Sequence, residues 1–366
     1  ISIKSLRDII DKKAGYKVSY DLNEENPTEV KDWLSTGSRW LDGIIVKGQL
    51  GGIPVGKITE LAGIEASGKS YMAAQIIKNA QAKGIDAVLF DSESSYDPEF
   101  LTKIGVDVER LLYIQAESVE FVLESIESLL ANNENRMIFV WDSFANTPSK
   151  ADFETDEFNP SSSMARIPRI MTLGLKRLTL PLANSQSTLL IVNQLKTNLG
   201  DPMMMKMEPL FAPGGRSLIY SYSLRIWLTA RRAKDSFITN SAGFRVGTEL
   251  KAKLKKSRFA SEGRECSFKI TWGEDPVGIR DEESWYEAIL SSKKLDTSSV
   301  WKKLTLLDGT EVKFHEGADW LKKLQEPKFR ETVLAIMDEE VIQKFAKKEG
   351  NAKSFYEINE KENEES

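Results

Sequence analysis

The sequence is poor in the two residues that most often build metal centres and covalent active sites. It contains one cysteine, Cys266, and one histidine, His315. A single cysteine cannot form an internal disulfide or a thiolate metal cluster. A single histidine argues against a zinc site or a serine–histidine triad. Any catalysis must therefore rest on lysine, carboxylate and amide side chains together with a bound metal ion.

Long apolar runs are also missing from the sequence. No stretch of about 18 consecutive apolar residues suggests a spanning helix, and residues 1–8 lack the apolar core of a secretory signal. Neither charge sign dominates, because the formal net charge is −5. That value argues only weakly against nucleic-acid binding, since the distribution of charge matters more than its sum.

Residues 63–70 read Gly-Ile-Glu-Ala-Ser-Gly-Lys-Ser and match the phosphate-binding loop pattern without a mismatch. A strand-like run at 57–62 precedes them and a helix-like run at 71–77 follows, which is the context that the motif requires. Backbone N–H groups of such a loop and the new helix terminus attract phosphate. We expect Lys69 to reach the β- and γ-phosphates and Ser70 to bind Mg²⁺. A glycine turn without a ligand is the alternative.

Short apolar runs alternate with helix-like segments over residues 35–290, which predicts an α/β core with a mostly parallel sheet buried on both faces. The predicted strands are 57–62, 87–91, 137–142, 189–193, 224–229, 249–254 and 268–272, of which the last follow one another closely and suggest an antiparallel extension. Two segments fit neither helix nor strand, at about 152–164 and at 196–215. Loops of this length are usually functional or mobile.

Shorter regions flank the predicted core. Residues 1–34 read as an arm whose apolar residues have helical spacing. Residues 291–350 read as a small α+β region, in which Asp308-Gly309 marks a hairpin turn. The acidic residues 351–366 predict a disordered tail.

Polar side chains follow three of the predicted strands. Asp142 ends an apolar strand, as an aspartate that holds Mg²⁺ does, although a helix cap is the alternative. Glu93 follows 87–91 and is placed to activate a water molecule, but Asp91 and Asp97 compete for that role. Gln194 is placed to sense a γ-phosphate, with an ordinary loop glutamine as the alternative.

The order and spacing of these motifs resemble the RecA-type recombinase family over roughly residues 33–285. The resemblance is carried by Ser35-Thr36-Gly37-Ser38, Leu41-Asp42, the run 51–58, the phosphate loop, Phe90-Asp91-Ser92-Glu93, Asp97-Pro98, Trp141-Asp142-Ser143, Pro148-Ser149-Lys150, Asn193-Gln194 and Gly214-Gly215. The short arm, the small C-terminal region and the acidic tail are most similar to the phage recombinases of that family.

The resemblance implies a RecA-like P-loop NTPase core that uses ATP and Mg²⁺. It implies a DNA-dependent ATPase that forms a helical homo-oligomeric filament on single-stranded DNA and exchanges strands with double-stranded DNA. Residues 1–34 become an oligomerisation arm, and single-strand-binding and mediator proteins become further partners. The expected location is the cytoplasm of a bacterium or of a phage-infected host.

The resemblance also implies roles for single residues. Glu93 matches the glutamate that activates water, Gln194 the amide that reports the γ-phosphate, and Lys256 and Arg258 a basic pair that reaches the neighbouring subunit's nucleotide, although Lys255 competes with Lys256. The predicted catalytic set is therefore Lys69, Glu93, Gln194, Lys256 and Arg258. The predicted nucleotide-binding set is Gly63, Glu65, Ala66, Ser67, Gly68, Lys69, Ser70, Tyr71, Asp97 and Trp272, and Mg²⁺ is assigned to Ser70 and Asp142. The predicted DNA-binding set is Met164, Arg169, Leu199, Met203, Met204, Met205, Gly214 and Gly215.

Two other functions fit a P-loop core. A ring-forming replicative helicase normally carries a substantial N-terminal domain, whereas about 34 residues precede the core here. A P-loop ATPase or kinase that acts on small molecules would need an acceptor pocket, and no motif in the sequence indicates one.

Overall fold

The computed structural model describes residues 2–15, 17–23, 29–154, 160–198, 203, 206, 209–230, 236–273, 277–317 and 319–345. The predicted tail at 351–366 lies outside the described residues. The chain divides into two compact units, Ile1–Asp32 and Trp33–Ser366. Among the described residues, no helix combines the length and the apolar character that a membrane span requires.

The first unit is built around one amphipathic helix, α1 (Ile3–Ala14). The helix begins at Ser2, whose hydroxyl accepts the Ser5 N–H, and it ends at Gly15 in the left-handed conformation. The apolar side chains of its predicted face are exposed: Ile3, Leu6, Ile9 and Ile10.

The second unit contains the remaining elements. Its helices are α2 (Arg39–Ile45), α3 (Lys69–Ala82), α4 (Pro98–Ile104), α5 (Val119–Asn132), α6 (Lys150–Glu154), α7 (Pro160–Ser185), α8 (Arg216–Ser221), α9 (Asp281–Ala288), α10 (Trp320–Lys323) and α11 (Pro327–Met337). Its strands are β1 (Trp33–Leu34), β2 (Ile53–Pro54), β3 (Ile58–Gly63), β4 (Asp86–Asp91), β5 (Leu111–Gln115), β6 (Met137–Asp142), β7 (Thr188–Gln194), β8 (Lys196–Thr197), β9 (Leu210–Phe211), β10 (Leu224–Ala230), β11 (Phe237–Thr239), β12 (Arg245–Ser257), β13 (Glu265–Thr271), β14 (Gly278–Arg280), β15 (Leu295–Asp296), β16 (Trp301–Thr305) and β17 (Glu311–His315).

A ten-stranded sheet organises this unit in the order β14-β13-β12-β10-β3-β7-β6-β4-β5, with β11 paired to β12. The strands from β10 to β5 are parallel, and β12, β13 and β14 continue the sheet in antiparallel pairs. The predicted α/β class with a mostly parallel sheet is therefore confirmed. The carboxyl ends of β3, β7, β6 and β4 lie along one edge, where ligand sites of such sheets form.

Helices cover both faces of the sheet. Successive residues of β6 alternate between the two cores, so that Val140 packs with α3 while Phe139 and Trp141 pack with α5 and α7. This arrangement explains why the central strands are continuous apolar runs. A separate antiparallel sheet, β15-β16-β17, packs with α10 and α11 around Phe314.

The structure differs from the sequence prediction in several places, and the predicted second loop, for example, contains the short strands β8 and β9. The edge strand β5 was not predicted, although it contains the apolar run Leu111-Leu112-Tyr113-Ile114, and its residues are exposed or half-buried. The predicted first loop, 152–164, is helical at Lys150–Glu154 and again from Pro160, while 155–159 lie outside the described residues. Helix α7 forms despite Pro168 and Pro181 because its inner side chains, such as Leu175, are buried against the sheet.

Asp42 holds the segment between β1 and α2 in place through hydrogen bonds. This buried carboxylate of α2 accepts hydrogen bonds from Ser35 Oγ (2.6 Å), Thr36 N (3.0 Å) and Thr36 Oγ1 (2.7 Å). Burial raises the pKa of Asp42 to about 7, because those hydrogen bonds only partly offset the loss of solvation and Asp281 adds repulsion.

Candidate functional site

The phosphate loop lies between the end of β3 and the start of α3, at the carboxyl edge of the sheet. A Cβ atom on Gly63 would lie 2.2 Å from Ser67 Oγ and 2.8 Å from the Leu228 carbonyl oxygen. Gly68 has a φ of +76°, and a Cβ there would lie 2.7 Å from Ile270 and from Leu250. Glycine is therefore required at both positions by space and, at Gly68, also by backbone conformation.

Lys69 extends over this loop from the first turn of α3. Its Nζ donates to the Ile64 carbonyl oxygen at 2.8 Å, and Ser67 Oγ donates to the same oxygen at 2.7 Å. Burial lowers the pKa of Lys69, and the nearby carboxylates of Asp142, Glu93 and Glu65 oppose that shift. A phosphate oxygen could replace this carbonyl oxygen as the acceptor of Lys69 Nζ. Its attraction to the ammonium group would be strong, because that group is partly removed from solvent.

Ser70 and Asp142 form the second part of the site. Ser70 Oγ donates to Asp142 Oδ2 at 2.8 Å, and Tyr96 Oη donates to the same oxygen at 2.7 Å. Burial raises the pKa of Asp142, while these two hydrogen bonds lower it. Magnesium bound with a nucleotide takes one or two protein ligands plus phosphate and water oxygens. A hydroxyl beside a carboxylate fits that requirement.

The side chains at this position would hold a metal ion only together with ligands from a bound nucleotide. Among the residues that the structure describes, no group of three or more histidine, cysteine or acidic side chains could hold a metal ion by itself. The pair of Ser70 and Asp142 therefore fits Mg²⁺ that arrives with phosphates, and does not fit a permanent metal centre.

The three carboxylates that spacing could not rank have distinct surroundings. Asp91 is buried and accepts the backbone N–H groups of Glu93 (2.9 Å), Ser95 (2.8 Å) and Tyr96 (3.2 Å). Asp97 caps α4 by accepting the Glu99 N–H at 2.8 Å. Asp91 thus shapes the loop that follows β4, and Asp97 starts the next helix.

Glu93 and Asp97 are both exposed, but Glu93 contacts residues that follow β6. Its Oε1 accepts Ser143 Oγ at 2.8 Å and Asn146 Nδ2 at 2.5 Å, which holds the carboxylate beside the end of β6. Its charge influences both Lys69 and Asp142. A fixed, solvent-accessible carboxylate near the phosphate loop is suited to accept a proton from water.

Gln194 lies at the same edge of the sheet. It is the last residue of β7, directly opposite Gly63 in the parallel pairing, and it is half-buried. The short pair formed by β8 and β9 follows, with Lys196 opposite Phe211. The second predicted loop therefore begins and ends close to Gln194.

Aromatic side chains extend the site beyond the phosphate loop. Tyr71 and Trp272 line a cavity of about 330 Å³ with residues 66–70. Their ring centroids are 6.4 Å apart, and Phe100 packs on Tyr71 at 4.8 Å. Aromatic rings that line the same cavity as a phosphate loop can hold a nucleotide base.

Arg245 also lines this cavity, and sequence reasoning missed it. Its guanidinium carbon lies 3.9 Å from the centroid of the Phe237 ring and 5.3 Å from that of Trp272. A cation at the base end of a nucleotide cavity can stack on the base. No local motif marks an arginine at the start of a strand, so the sequence offered no signal for it.

Lys256 and Arg258 lie near the amino-terminal ends of the parallel strands, at the opposite end from the phosphate loop. Ser257 between them pairs with Leu224, which pairs with Thr59 near the start of β3, whereas the phosphate loop follows the end of that strand. The structure therefore does not bring this pair together with the phosphate loop of the same chain.

Both basic side chains bind the same short helix. Lys256 Nζ donates to the Ile219 carbonyl oxygen at 2.5 Å, and Arg258 Nη2 donates to that of Tyr220 at 2.8 Å. Lys255 falls at a β-bulge and lies 4.4 Å from the centroid of the Trp227 ring instead. Geometry thus separates Lys255 from the pair.

A second cavity, of about 420 Å³, adjoins this pair. Lys57, Lys176 and Arg258 line it, and no carboxylate occurs among the described residues that do so. Tyr220, which is exposed, lies at its rim. Three cations without a counter-charge make this cavity suitable for phosphate groups.

The predicted DNA-binding residues are only partly described. Arg169 is exposed on α7, and Met203 is 69% exposed. Met164 belongs to the first turns of α7, but its side chain is outside the described part of the structure. Leu199, Met204 and Met205 lie outside the described residues. Gly214 and Gly215 both have positive φ and lead into α8.

Comparison with known proteins finds one family profile and several bacterial relatives that match most of the chain. The sequence profile described as "RecA N-terminal domain" matches residues 2–277. Protein RecA of Aquifex aeolicus (strain VF5) is 33% identical over 265 residues, which cover 72% of each chain. Protein RecA of Thermus aquaticus is 34% identical over 279 residues, which cover 75% of this chain and 78% of the relative. Protein RecA of Wolinella succinogenes is 32% identical over 292 residues, which cover 80% and 79%.

Proposed function

This chain belongs to the RecA family, and we propose that it is an ATP-dependent recombinase that forms helical filaments on single-stranded DNA and exchanges strands with homologous double-stranded DNA. The observation that carries the proposal is the group of Lys69, Ser70, Asp142 and Glu93 around the phosphate loop, with Gln194 joining that loop to a second loop. The small C-terminal sheet and the acidic tail support the phage subtype.

The proposed reaction is DNA-stimulated hydrolysis of ATP. Glu93 accepts a proton from water while the water oxygen bonds to the γ-phosphorus, and the bond from that phosphorus to the β–γ bridging oxygen breaks. Lys69 offsets the phosphate charge. Mg²⁺, held by Ser70 and Asp142, supplies further charge neutralisation when it is bound with the nucleotide. Tyr71, Trp272 and the helix that begins after Asp97 surround the base.

The proposed filament brings two subunits to each nucleotide. Lys256 and Arg258 cannot reach their own phosphate loop, so their role at a nucleotide requires a neighbouring copy. The exposed apolar face of α1 supports the same conclusion, because a helix with no buried residue gains stability by packing on another subunit. Residues 1–34 are accordingly proposed as the oligomerisation arm.

The proposed DNA-binding surface combines the loops at about 152–164 and 196–215 with nearby cations. Arg169 and the exposed Met203 fit binding to backbone phosphates and to bases, and such contacts read little sequence. Nucleotide bound near Gln194 would favour the arrangement of the second loop that binds DNA, and hydrolysis would release it.

Electron microscopy of negatively stained protein with single-stranded DNA and a non-hydrolysable ATP analogue tests the proposal. Continuous helical filaments are the expected result, together with ATP turnover that rises when DNA is added. Discrete rings would support a helicase instead. Unassociated particles, together with ATP turnover that does not change when DNA is added, would support a P-loop enzyme that acts on a small molecule.

A further inference from the structure

A buried ion pair joins the neighbouring strands β3 and β10 close to the phosphate loop. Glu60 of β3 and Arg225 of β10 are opposite one another in the parallel pairing, and Arg225 Nε donates to Glu60 Oε2 at 2.6 Å. Their side chains are 1% and 8% exposed. The loss of solvation offsets much of the attraction in such a pair, so apolar residues of similar size could serve stability equally well. What the pair does provide is a fixed position for the second carboxylate oxygen of Glu60.

Asn193 takes up that second oxygen. Its Nδ2 donates to Glu60 Oε1 at 3.1 Å and to the Pro213 carbonyl oxygen at 3.0 Å, while its Oδ1 accepts the backbone N–H of Gln194 at 3.0 Å. The NH2 group of the Asn193 amide thus has two acceptors and its oxygen has one donor. This pattern of partners allows only one orientation of the amide. Asn193 therefore joins the buried ion pair, the backbone of Gln194 and the last residues of the second loop.

The segment 213–221 is held from its other end as well. Lys256, which is opposite Arg225 on β12, binds the carbonyl of Ile219. Between the two anchors, Gly214 has a φ of +110°, and a Cβ atom there would lie 2.5 Å from Leu218 Cδ1. Gly214 is thus closely packed against Leu218 and Phe144, so a displacement of the neighbouring Pro213 carbonyl would press on these side chains.

We infer that Asn193, held by the Glu60–Arg225 pair, is the positioning residue that couples Gln194 to the end of the second loop, so that nucleotide binding alters segment 213–221. This inference rests on the proposed function, because it assigns a route between the nucleotide and the DNA loop. Asn193 itself touches neither ligand. Its effect is exerted through the Pro213 carbonyl and the Gln194 N–H.

The experiment compares wild type with Asn193→Ala and with the double variant Glu60→Met/Arg225→Met. The double variant removes both charges at similar volume, so it is expected to fold, whereas a variant that leaves one buried charge unpaired is expected to be strongly destabilised. Thr59→Val is the matched control, since Thr59 is buried on the same strand and its hydroxyl has no hydrogen-bond partner among the described residues. ATP turnover is measured without DNA and with saturating single-stranded DNA. Hydrogen–deuterium exchange of segment 213–221 is measured with and without an ATP analogue.

Asn193→Ala and the double variant are expected to keep basal turnover and analogue binding within about twofold and to lose about fivefold or more of the DNA stimulation, as coupling free energies between sites predict. The analogue should no longer change exchange in 213–221, while Thr59→Val behaves as wild type. Wild-type stimulation, or an unchanged exchange response, in Asn193→Ala overturns the inference, as does a parallel loss of basal turnover and analogue binding. Absence of DNA stimulation in wild type contradicts the proposed function instead, and the exchange measurement then still decides the coupling.

Discussion

Ser70 at the start of α3 and Asp142 at the end of β6 are joined by a hydrogen bond of 2.8 Å, although β7 separates β6 from the strand that leads into α3. The bond ties the first turn of α3 to the end of β6. The same two oxygens are the proposed ligands of Mg²⁺, so the metal would enter a site whose two protein atoms are already in place.

Asp142→Asn should weaken binding of an ATP analogue about tenfold or more in Mg²⁺ and far less in EDTA, because the metal loses its anionic ligand while the phosphate loop is unchanged. Fluorescence titration with a labelled analogue measures both values. The amide keeps the hydrogen bonds from Ser70 and Tyr96, so folding should be preserved. Equal weakening with and without the metal would contradict the assigned role.

Lys69→Ala should lower ATP hydrolysis by roughly 10²–10³-fold, the usual cost of losing one preorganised charge partner of the transition state. ATP-dependent DNA binding should weaken as well. Lys78→Ala is the matched control, since Lys78 is exposed on the same helix. Full turnover by the Lys69 variant would refute the site.

Glu93→Gln should keep ATP binding and lower hydrolysis by about 10²–10⁴-fold, because glutamine still accepts hydrogen bonds from Ser143 and Asn146 but cannot accept the proton. Pre-steady-state phosphate release separates the two effects. DNA complexes formed with ATP should be long-lived. Rapid hydrolysis by this variant would show that another group is the general base. Asp91 is poorly suited to that role, because its carboxylate already accepts three backbone N–H groups.

Arg245→Ala should weaken nucleotide binding about three- to tenfold, the range expected for a cation stacked at a partly desolvated site. The effect should be similar for ATP and ADP, because Arg245 packs on the rings of Phe237 and Trp272, and Trp272 is proposed to contact the base. Lys253→Ala, an exposed cation on the same strand, should bind as wild type. A loss confined to ATP would place Arg245 at the phosphates.

Stability should depend on pH through Asp42. Its folded pKa of about 7 exceeds the ordinary 3.8, so the folded state binds more protons between these values and this carboxyl lowers stability as pH rises. Asp42→Asn should remove that component, which is on the order of 4 kcal/mol over the window. Urea unfolding of both proteins from pH 4 to pH 8 measures it. Parallel curves for the two proteins would show that Asp42 does not titrate there.

The sequence predicted those parts of the site that are contiguous in the chain. The phosphate loop is one eight-residue motif, and the buried strands are apolar runs, so both are visible without a structure. Glu93 could not be separated from Asp91 by spacing, since only the hydrogen bonds around each carboxylate distinguish them. Asn193 and Glu60 are 133 residues apart, and contacts between distant side chains leave no local pattern. Arg245 and the cavity of Lys57 and Lys176 were missed for the same reason.

The position of Lys256 and Arg258, at the edge of the sheet away from the phosphate loop, has a consequence for kinetics. If the pair acts across the subunit boundary as proposed, a row of n copies contains n−1 complete catalytic centres, and the copy at one end does not hydrolyse ATP. Specific activity should therefore rise with assembly length and level off in long assemblies. The two ends would be chemically different, which gives the assembly a direction in which subunits are lost.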